Sequence, residues 1–251
     1  MSPSQQPKIF PDARSPLPLD SINLSEKVLL IHERLCAVYG CPIPFFHDLD
    51  PLSELVSSLL SHRTKNKDSG RAFKQLRQQF LTWEAVRDGD TGEVERAIAP
   101  CTWPDQKAPR LQQILRLITE RRGELTLDFL QDLSVTDARA WLEMLPGVGP
   151  KTSAAVLLFS NLRRPALPVD SHHHRVAIRL GLIPPKTGVG PSHALLEAQL
   201  PQDWTAQQVY DNHEVLMLHG QRCCFYQNPA CQRCAVLDLC PVGQARVTQR
   251  L

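Results

Sequence analysis

Apolar residues recur along this chain with the spacing of helices. Val28, Ile31, Leu35 and Val38 share one face, as do Leu52, Leu55, Val56 and Leu59. Leu111, Ile114, Leu115 and Ile118 fall at i, i+3, i+4 and i+7. Phe73, Leu76 and Phe80 mark another helix, and Trp141, Leu142 and Leu145 end one that Thr136 is placed to cap. No alternating apolar run extends beyond a few positions. The most extended-looking stretch, RPALPVD at 164–170, carries two prolines and reads as a connector. The pattern predicts an all-α protein built from many short helices. GVGP occurs at 147–150 and again at 188–191; the second copy lacks a following lysine and reads as a simple turn into a helix.

Composition changes this picture little. With 251 residues, 42% hydrophobic and 22% charged, the chain is long enough for a substantial core and is ordinary for a globular protein. The net charge is +2, so attraction to a polyanion has to come from local placement of Lys and Arg. The first 20 residues hold five prolines and no apolar export segment, and residues 1–22 are expected to form a flexible Pro-rich leader. The longest apolar run, AAVLLF at 154–159, is too short for a bilayer, so no membrane association and a cytoplasmic location are expected.

The stretch LPGVGPK at 145–151 carries candidate chemistry. Gly147 and Gly149 permit positive φ and a sharp turn between two helices, and Pro150 suits the first turn of the second. Side-chain-free backbone at Gly147, Val148 and Gly149, together with the open N–H groups of a helix start, can cradle a phosphate without reading sequence. The plainer reading is a tight corner between helices. Lys151 lies where the helix dipole disfavours a cation. That position, with partial burial beside SAAVLL, is expected to lower its pKa and free the amine as a nucleophile. The alternative is a surface lysine with a snorkelling stem.

Five of eight cysteines fall between Cys223 and Cys240. Cys224, Cys231, Cys234 and Cys240 have the spacing C-x6-C-x2-C-x5-C, a set that suits either a [4Fe–4S] cluster or a structural zinc ion. Cys223 reads as a small buried hydrophobe. Cys36, Cys41 and Cys101 have no partner spacing and read as core or incidental residues, disulfides not being expected. The run His172, His173, His174 cannot converge on one ion, because successive helical residues point about 100° apart.

LPGVGPKTSAAVLL resembles the helix-hairpin-helix of the endonuclease III family of DNA glycosylases. PVDSHHHRVAIRLGL resembles that family's V-D-[ST]-H segment, and the cysteine spacing with LHG at 218–220 resembles its iron–sulfur loop. The likeness runs from about Leu24 to Val247 and implies two helical lobes with a cleft between them. A six-helix lobe would cover about 45–163 and carry the hairpin; 23–44 with 164–251 would form the other and carry the cluster.

The resemblance implies that Lys151 and Asp170 are catalytic, Asp170 having the alternative or additional role of an N-cap, and that His172 takes the place of the motif's histidine and contacts DNA, leaving His173 and His174 as surface or interface residues. It further implies that Cys224, Cys231, Cys234 and Cys240 hold a [4Fe–4S] cluster. Arg63, in SHRTKNKD, occupies the position of a glutamine that fills the hole left by a flipped base. Trp103, in CTWPDQKA, occupies that of a second wedge, usually leucine; the alternatives are a core aromatic for Trp103 and a phosphate contact or surface charge for Arg63. The loop FYQNPA lacks the family's basic residues, so Arg222 and Arg233 take over there or DNA contact weakens. The implied activity is bifunctional: removal of oxidised pyrimidines from damaged double-stranded DNA and cutting at abasic sites, by a nucleoid-associated monomer. Alternatives are a monofunctional relative, against which Lys151 argues, and a non-catalytic iron–sulfur DNA-binding protein. A zinc-binding transcription factor is a fourth reading, which a brown preparation would exclude.

Overall fold

A computed structural model describes residues 22–249. Twelve α-helices and no strand occur among the described residues. They are α1 (Leu24–Tyr39), α2 (Pro51–Ser61), α3 (Asn66–Gln79), α4 (Trp83–Asp88), α5 (Thr91–Ala97), α6 (Pro104–Arg122), α7 (Val135–Glu143), α8 (Pro150–Phe159), α9 (Ser171–Leu180), α10 (Val189–Glu197), α11 (Ala206–Arg222) and α12 (Pro241–Thr248). None is long and apolar enough to cross a membrane. The Pro-rich leader lies outside the described residues, except for Ile22.

Local sequence explains most helix starts. Asn23 and Glu26 form a reciprocal capping box on α1, and Thr205 with Gln208 does the same on α11. Asp50, Thr82 and Asp90 cap α2, α4 and α5. The cap of α7 is Ser134, whose hydroxyl accepts from the Asp137 amide at 3.0 Å, and not Thr136, which lies inside the first turn.

The helices bury two apolar clusters. The first is built from α2–α7 and includes Leu55, Val56, Leu76, Val86, Ile98, Ile114, Ile118 and Leu142. The second joins α1 to the C-terminal helices through Ile31, Leu35, Val176, Leu180, Tyr210, Val215 and Leu239. Helix α8 belongs to both: Ala154, Val156 and Leu157 enter the first, Leu158 the second. A helix apolar on every side is one packed from every side, and α8 is therefore held rigidly at the junction, with its N-terminus at the surface.

The expectation that no disulfide forms is corrected. Cys36 and Cys41 are bonded to each other. Gly40 ends α1 at φ 86°, and this left-handed reversal folds Cys41 back onto the last turn, bringing the two Cα atoms to 4.9 Å. Cys101 is buried in the first core, as expected.

Candidate active site

The hairpin turn runs between α7 and α8. Leu145 and Val148 anchor it in the first core. Gly147 has φ 80°, which other residues reach only with strain, and a Cβ there would meet the Arg110 side chain at 3.1 Å. Gly149 does not use positive φ: its backbone is extended, at φ −116°. It meets open space instead, so its lack of a side chain leaves room for a ligand to approach. The Val148 side chain is in the core and its amide donates to Leu145 O at 3.1 Å. Among the described residues, the amides of Gly147 and Gly149 donate to no carbonyl. No side chain caps α8, so its first turn keeps its outward N–H character. Ser153 Oγ donates to Glu143 Oε1 at 2.6 Å and ties the two hairpin helices together.

Lys151 is exposed, contrary to the expected partial burial, because the helix turns Thr152 and Ser153 inward in its place. It lines a cavity of about 450 Å³ with His62, Arg63, Trp103, Lys107 and Arg110 among the other wall residues. With Lys151, four of the wall residues are cations, and none is acidic. His62 Nε2 lies 2.9 Å from Thr152 Oγ1, linking the end of α2 to α8. Burial, and then the charges of Lys151, Lys107 and Arg110, push the His62 pKa down to about 4, so the ring is neutral at pH 7.

Arg63 and Trp103 are both in left-handed backbone, at φ 52° and φ 55°, a conformation costing a non-glycine residue about 1–3 kcal/mol. What holds them there is a residue that sequence reasoning missed. Lys107 Nζ donates to Leu60 O at 2.7 Å, His62 O at 2.8 Å and Thr64 Oγ1 at 2.9 Å. Thr102 adds bonds from its amide to Thr64 Oγ1 (3.1 Å) and from its hydroxyl to Arg63 O (3.0 Å). The α2–α3 and α5–α6 loops are thereby locked together, and Trp103 stands 48% exposed at the cavity wall.

Asp170 is not among the residues that line this cavity, and it is positioned by a different route. The connector 164–170 is extended, and Ala166–Val169 are buried. Buried backbone of this kind has to find partners outside the connector, and side chains of α10 and α11 supply them. Leu167 N donates to Glu197 Oε1 at 3.0 Å, Val169 N donates to His193 Nε2 at 3.0 Å, and His213 Nδ1–H donates to Pro168 O at 2.8 Å. Arg139 of α7 in turn binds Glu197. Asp170 then caps α9, its Oδ1 accepting from His173 N at 2.7 Å. Both Asp170 and Lys151 act electrostatically on the buried His213 ring, whose pKa burial lowers. The neighbouring Glu214 is raised to about 7 by burial, with Asp170 and Asp211 adding to the effect.

The three histidines separate as helical geometry demands. His172 Nδ1 accepts from Arg175 at 3.2 Å, and Arg175 also donates to Gly220 O at 2.8 Å. Gly220 is required by contact: a Cβ there would stand 2.8 Å from His172 Cβ. His173 is buried, not a surface residue, because it shares the apolar face of Val176, Ala177 and Leu180. Burial drives its pKa well below the usual histidine value. His174 Nε2 bonds the Thr187 carbonyl at 2.8 Å.

Cys224, Cys231, Cys234 and Cys240 line one pocket together with Val176, Leu180 and Leu237. Arg179 donates to Cys224 Sγ at 3.3 Å and the Gly243 amide to Cys240 Sγ at 3.2 Å. Four thiolates backed by a guanidinium and an amide suit an anionic iron–sulfur centre. Cys223 is buried, as expected, but it lines this same pocket and does not sit in the apolar core. Arg222 and Arg233 are exposed beside it, and so is Tyr226 at the tip of the loop between the first two cysteines.

An all-α fold with a glycine hairpin, a lysine at the following helix start and an aspartate capping the next helix defines a helix-hairpin-helix DNA-repair protein. The profile of the HhH-GPD superfamily base excision DNA repair proteins matches residues 56–202. Endonuclease III of Thermotoga maritima is 31% identical over 199 residues, covering 79% of this chain and 86% of that protein. An Arabidopsis thaliana protein with the provisional name DNA glycosylase At3g47830 is 33% identical over 192 residues, covering 76% of this chain and 64% of that one. In structure, a non-covalent endonuclease III–DNA complex superposes with a TM-score of 0.74 at 22% identity, covering 89% of this chain and 98% of that chain. The chain belongs to the HhH-GPD superfamily, as a base excision DNA glycosylase of the endonuclease III family.

Proposed function

We propose that this glycosylase is bifunctional, excising oxidised pyrimidines from double-stranded DNA and cutting the strand at the resulting abasic site, as a monomer of the cytoplasmic nucleoid. The observation that carries the reading is the exposed Lys151 at the uncapped start of α8, in a cavity with cationic walls. Phosphates would be neutralised by Arg63, Arg110 and the lysine's own surroundings, with Gly147 and Gly149 offering backbone N–H groups. Trp103 and Arg63 would occupy the gap left when the damaged base leaves the stack.

The Lys151 amine, after giving up a proton, attacks C1′. The C1′–N bond breaks, and the base departs with the bonding electrons and takes up a proton. Asp170 stabilises the positive charge that develops on the sugar and accepts the lysine's proton. The C1′–O4′ bond then breaks, O4′ leaving with the bonding electrons and taking up a proton, and the lysine nitrogen and C1′ share a Schiff base; loss of a C2′ proton then breaks the C3′–O bond and releases the 3′ phosphate. Cys224, Cys231, Cys234 and Cys240 would hold a [4Fe–4S] cluster, which supplies structural order to the C-terminal lobe and stays outside the reaction.

The test is a gel assay on duplexes carrying thymine glycol or an abasic site. Wild type is expected to excise and nick. Asp170→Asn, which retains a capping side chain, is expected to lose at least 100-fold in rate with unchanged thermal stability. Binding of both duplexes by wild type without excision or nicking would instead favour a non-catalytic damage-binding protein, the reading that the charge-poor loop FYQNPA supports.

A further inference from the structure

The cysteine pocket is lined by five thiols, not four, and by one histidine. His219, Cys223 and Cys234 converge: their donor atoms all lie within 4.8 Å of one another. His219 lies on the last turn of α11 and Cys223 is the residue that ends it, four positions on. Such a pair shares one helix face. Cys234 returns to meet them after the short 3₁₀ turn Cys231–Arg233.

The spacing of one donor pair fits zinc. Zinc binds thiolate at about 2.3 Å and imidazole at about 2.0–2.1 Å with tetrahedral angles, which puts the two donor atoms about 3.6 Å apart. His219 Nε2 and Cys234 Sγ are 3.5 Å apart. The other ring nitrogen, Nδ1, lies 3.2 Å from the Tyr39 hydroxyl. With Nδ1–H donating to that oxygen, Nε2 keeps its lone pair for a metal, the outer partner that ligating histidines commonly have. Two thiolates and a neutral imidazole cancel the charge of a divalent ion. An iron–sulfur cube needs its thiolates on separate corners, and three donors converging on one point do not provide that.

We propose that His219, Cys223 and Cys234 form a second metal site, for a single thiophilic divalent ion of the zinc class. It shares Cys234 with the four-cysteine set, so the two occupancies exclude each other. Zinc would hold the end of α11 against the returning C-terminal segment in chains that lack the iron centre. The proposal does not depend on the lyase reading.

The test uses the full-length chain, expressed either in iron-replete medium or in iron-limited medium with added zinc. Iron and zinc per chain are measured by mass spectrometry, with visible absorbance for iron and far-ultraviolet circular dichroism as the check on folding. From zinc medium, wild type, Cys224→Ser and Cys231→Ser are each expected to carry one zinc ion. Cys223→Ser is expected to carry at least ten-fold less zinc, while its iron content from iron medium matches wild type. His219→Gln, which keeps all five thiols, is the second variant should Cys223→Ser misfold, and the same ten-fold loss is expected. Wild-type zinc content in Cys223→Ser or in His219→Gln overturns the proposal. So does loss of zinc in Cys224→Ser, which would mean that zinc simply occupies the four-cysteine set.

Discussion

Replacing Lys107 with methionine tests whether the cavity's two loops are held as the geometry implies. Methionine keeps most of the apolar stem and removes the ammonium that donates to Leu60 O, His62 O and Thr64 Oγ1. Bonds from a charged donor contribute about 1.5–3 kcal/mol each in proteins, but two effects reduce the sum. The half-buried ammonium is desolvated, which lowers the Lys107 pKa and offsets part of the gain. Each acceptor also keeps a second donor: Cys101 Sγ for Leu60 O at 3.5 Å, Thr64 Oγ1 for His62 O at 3.3 Å, and the Thr102 amide for Thr64 Oγ1 at 3.1 Å. The net loss is expected to be about 2–3 kcal/mol. Urea unfolding reads it as a lower midpoint at unchanged slope. Lys67→Met, at an exposed lysine of α3, is the control and is expected to stay within about 0.5 kcal/mol of wild type. Because Lys107 fixes the backbone on both sides of Arg63, base excision is expected to fall as well. A stability loss below about 0.5 kcal/mol for Lys107→Met would refute the locking role.

Two further outcomes follow from the same geometry. Gly147→Ala forces a Cβ onto φ 80° and against Arg110, and is expected to cost about 1–2 kcal/mol in urea unfolding and to weaken DNA binding in a gel-shift assay, whereas Gly149→Ala, in open space, is expected to keep its stability. His62 is pushed down to about 4 in the folded chain against about 6.5 unfolded, so the unfolded state takes up the proton first as pH falls. The His62 contribution to stability should therefore decline from pH 6.5 and level off near pH 4, by about 2 kcal/mol after allowance for solvent screening, and the difference between wild type and His62→Gln in urea titrations at each pH should follow that course.

Some of this site is legible in the sequence because its causes are local. Gly147 bends the turn through its own φ, Asp170 caps the helix that follows it, and four cysteines within 17 residues have few places to go. Lys107 is not legible, because its partners are two main-chain oxygens and a threonine hydroxyl more than 40 residues away, set by how α2 packs on α6. The left-handed backbone of Arg63 and Trp103 carries no mark in residue type. The Cys36–Cys41 bond depends on the reversal at Gly40, a signal that was present but weak. His173 was readable: with Val176, Ala177 and Leu180 it completes an i, i+3, i+4, i+7 face, and the neighbouring histidines obscured it. The outward direction of Lys151 follows from the same periodicity, since Thr152 and Ser153 face inward beside it.

The account rests on one amine. Borohydride reduction during reaction with an abasic duplex should leave protein covalently joined to DNA, and protease digestion with mass spectrometry should find the added sugar on Lys151. The same treatment of Lys151→Gln should give no conjugate, although the variant still binds the duplex. A conjugate that forms in Lys151→Gln, or that maps to another residue in wild type, would contradict the assignment of Lys151 as the nucleophile.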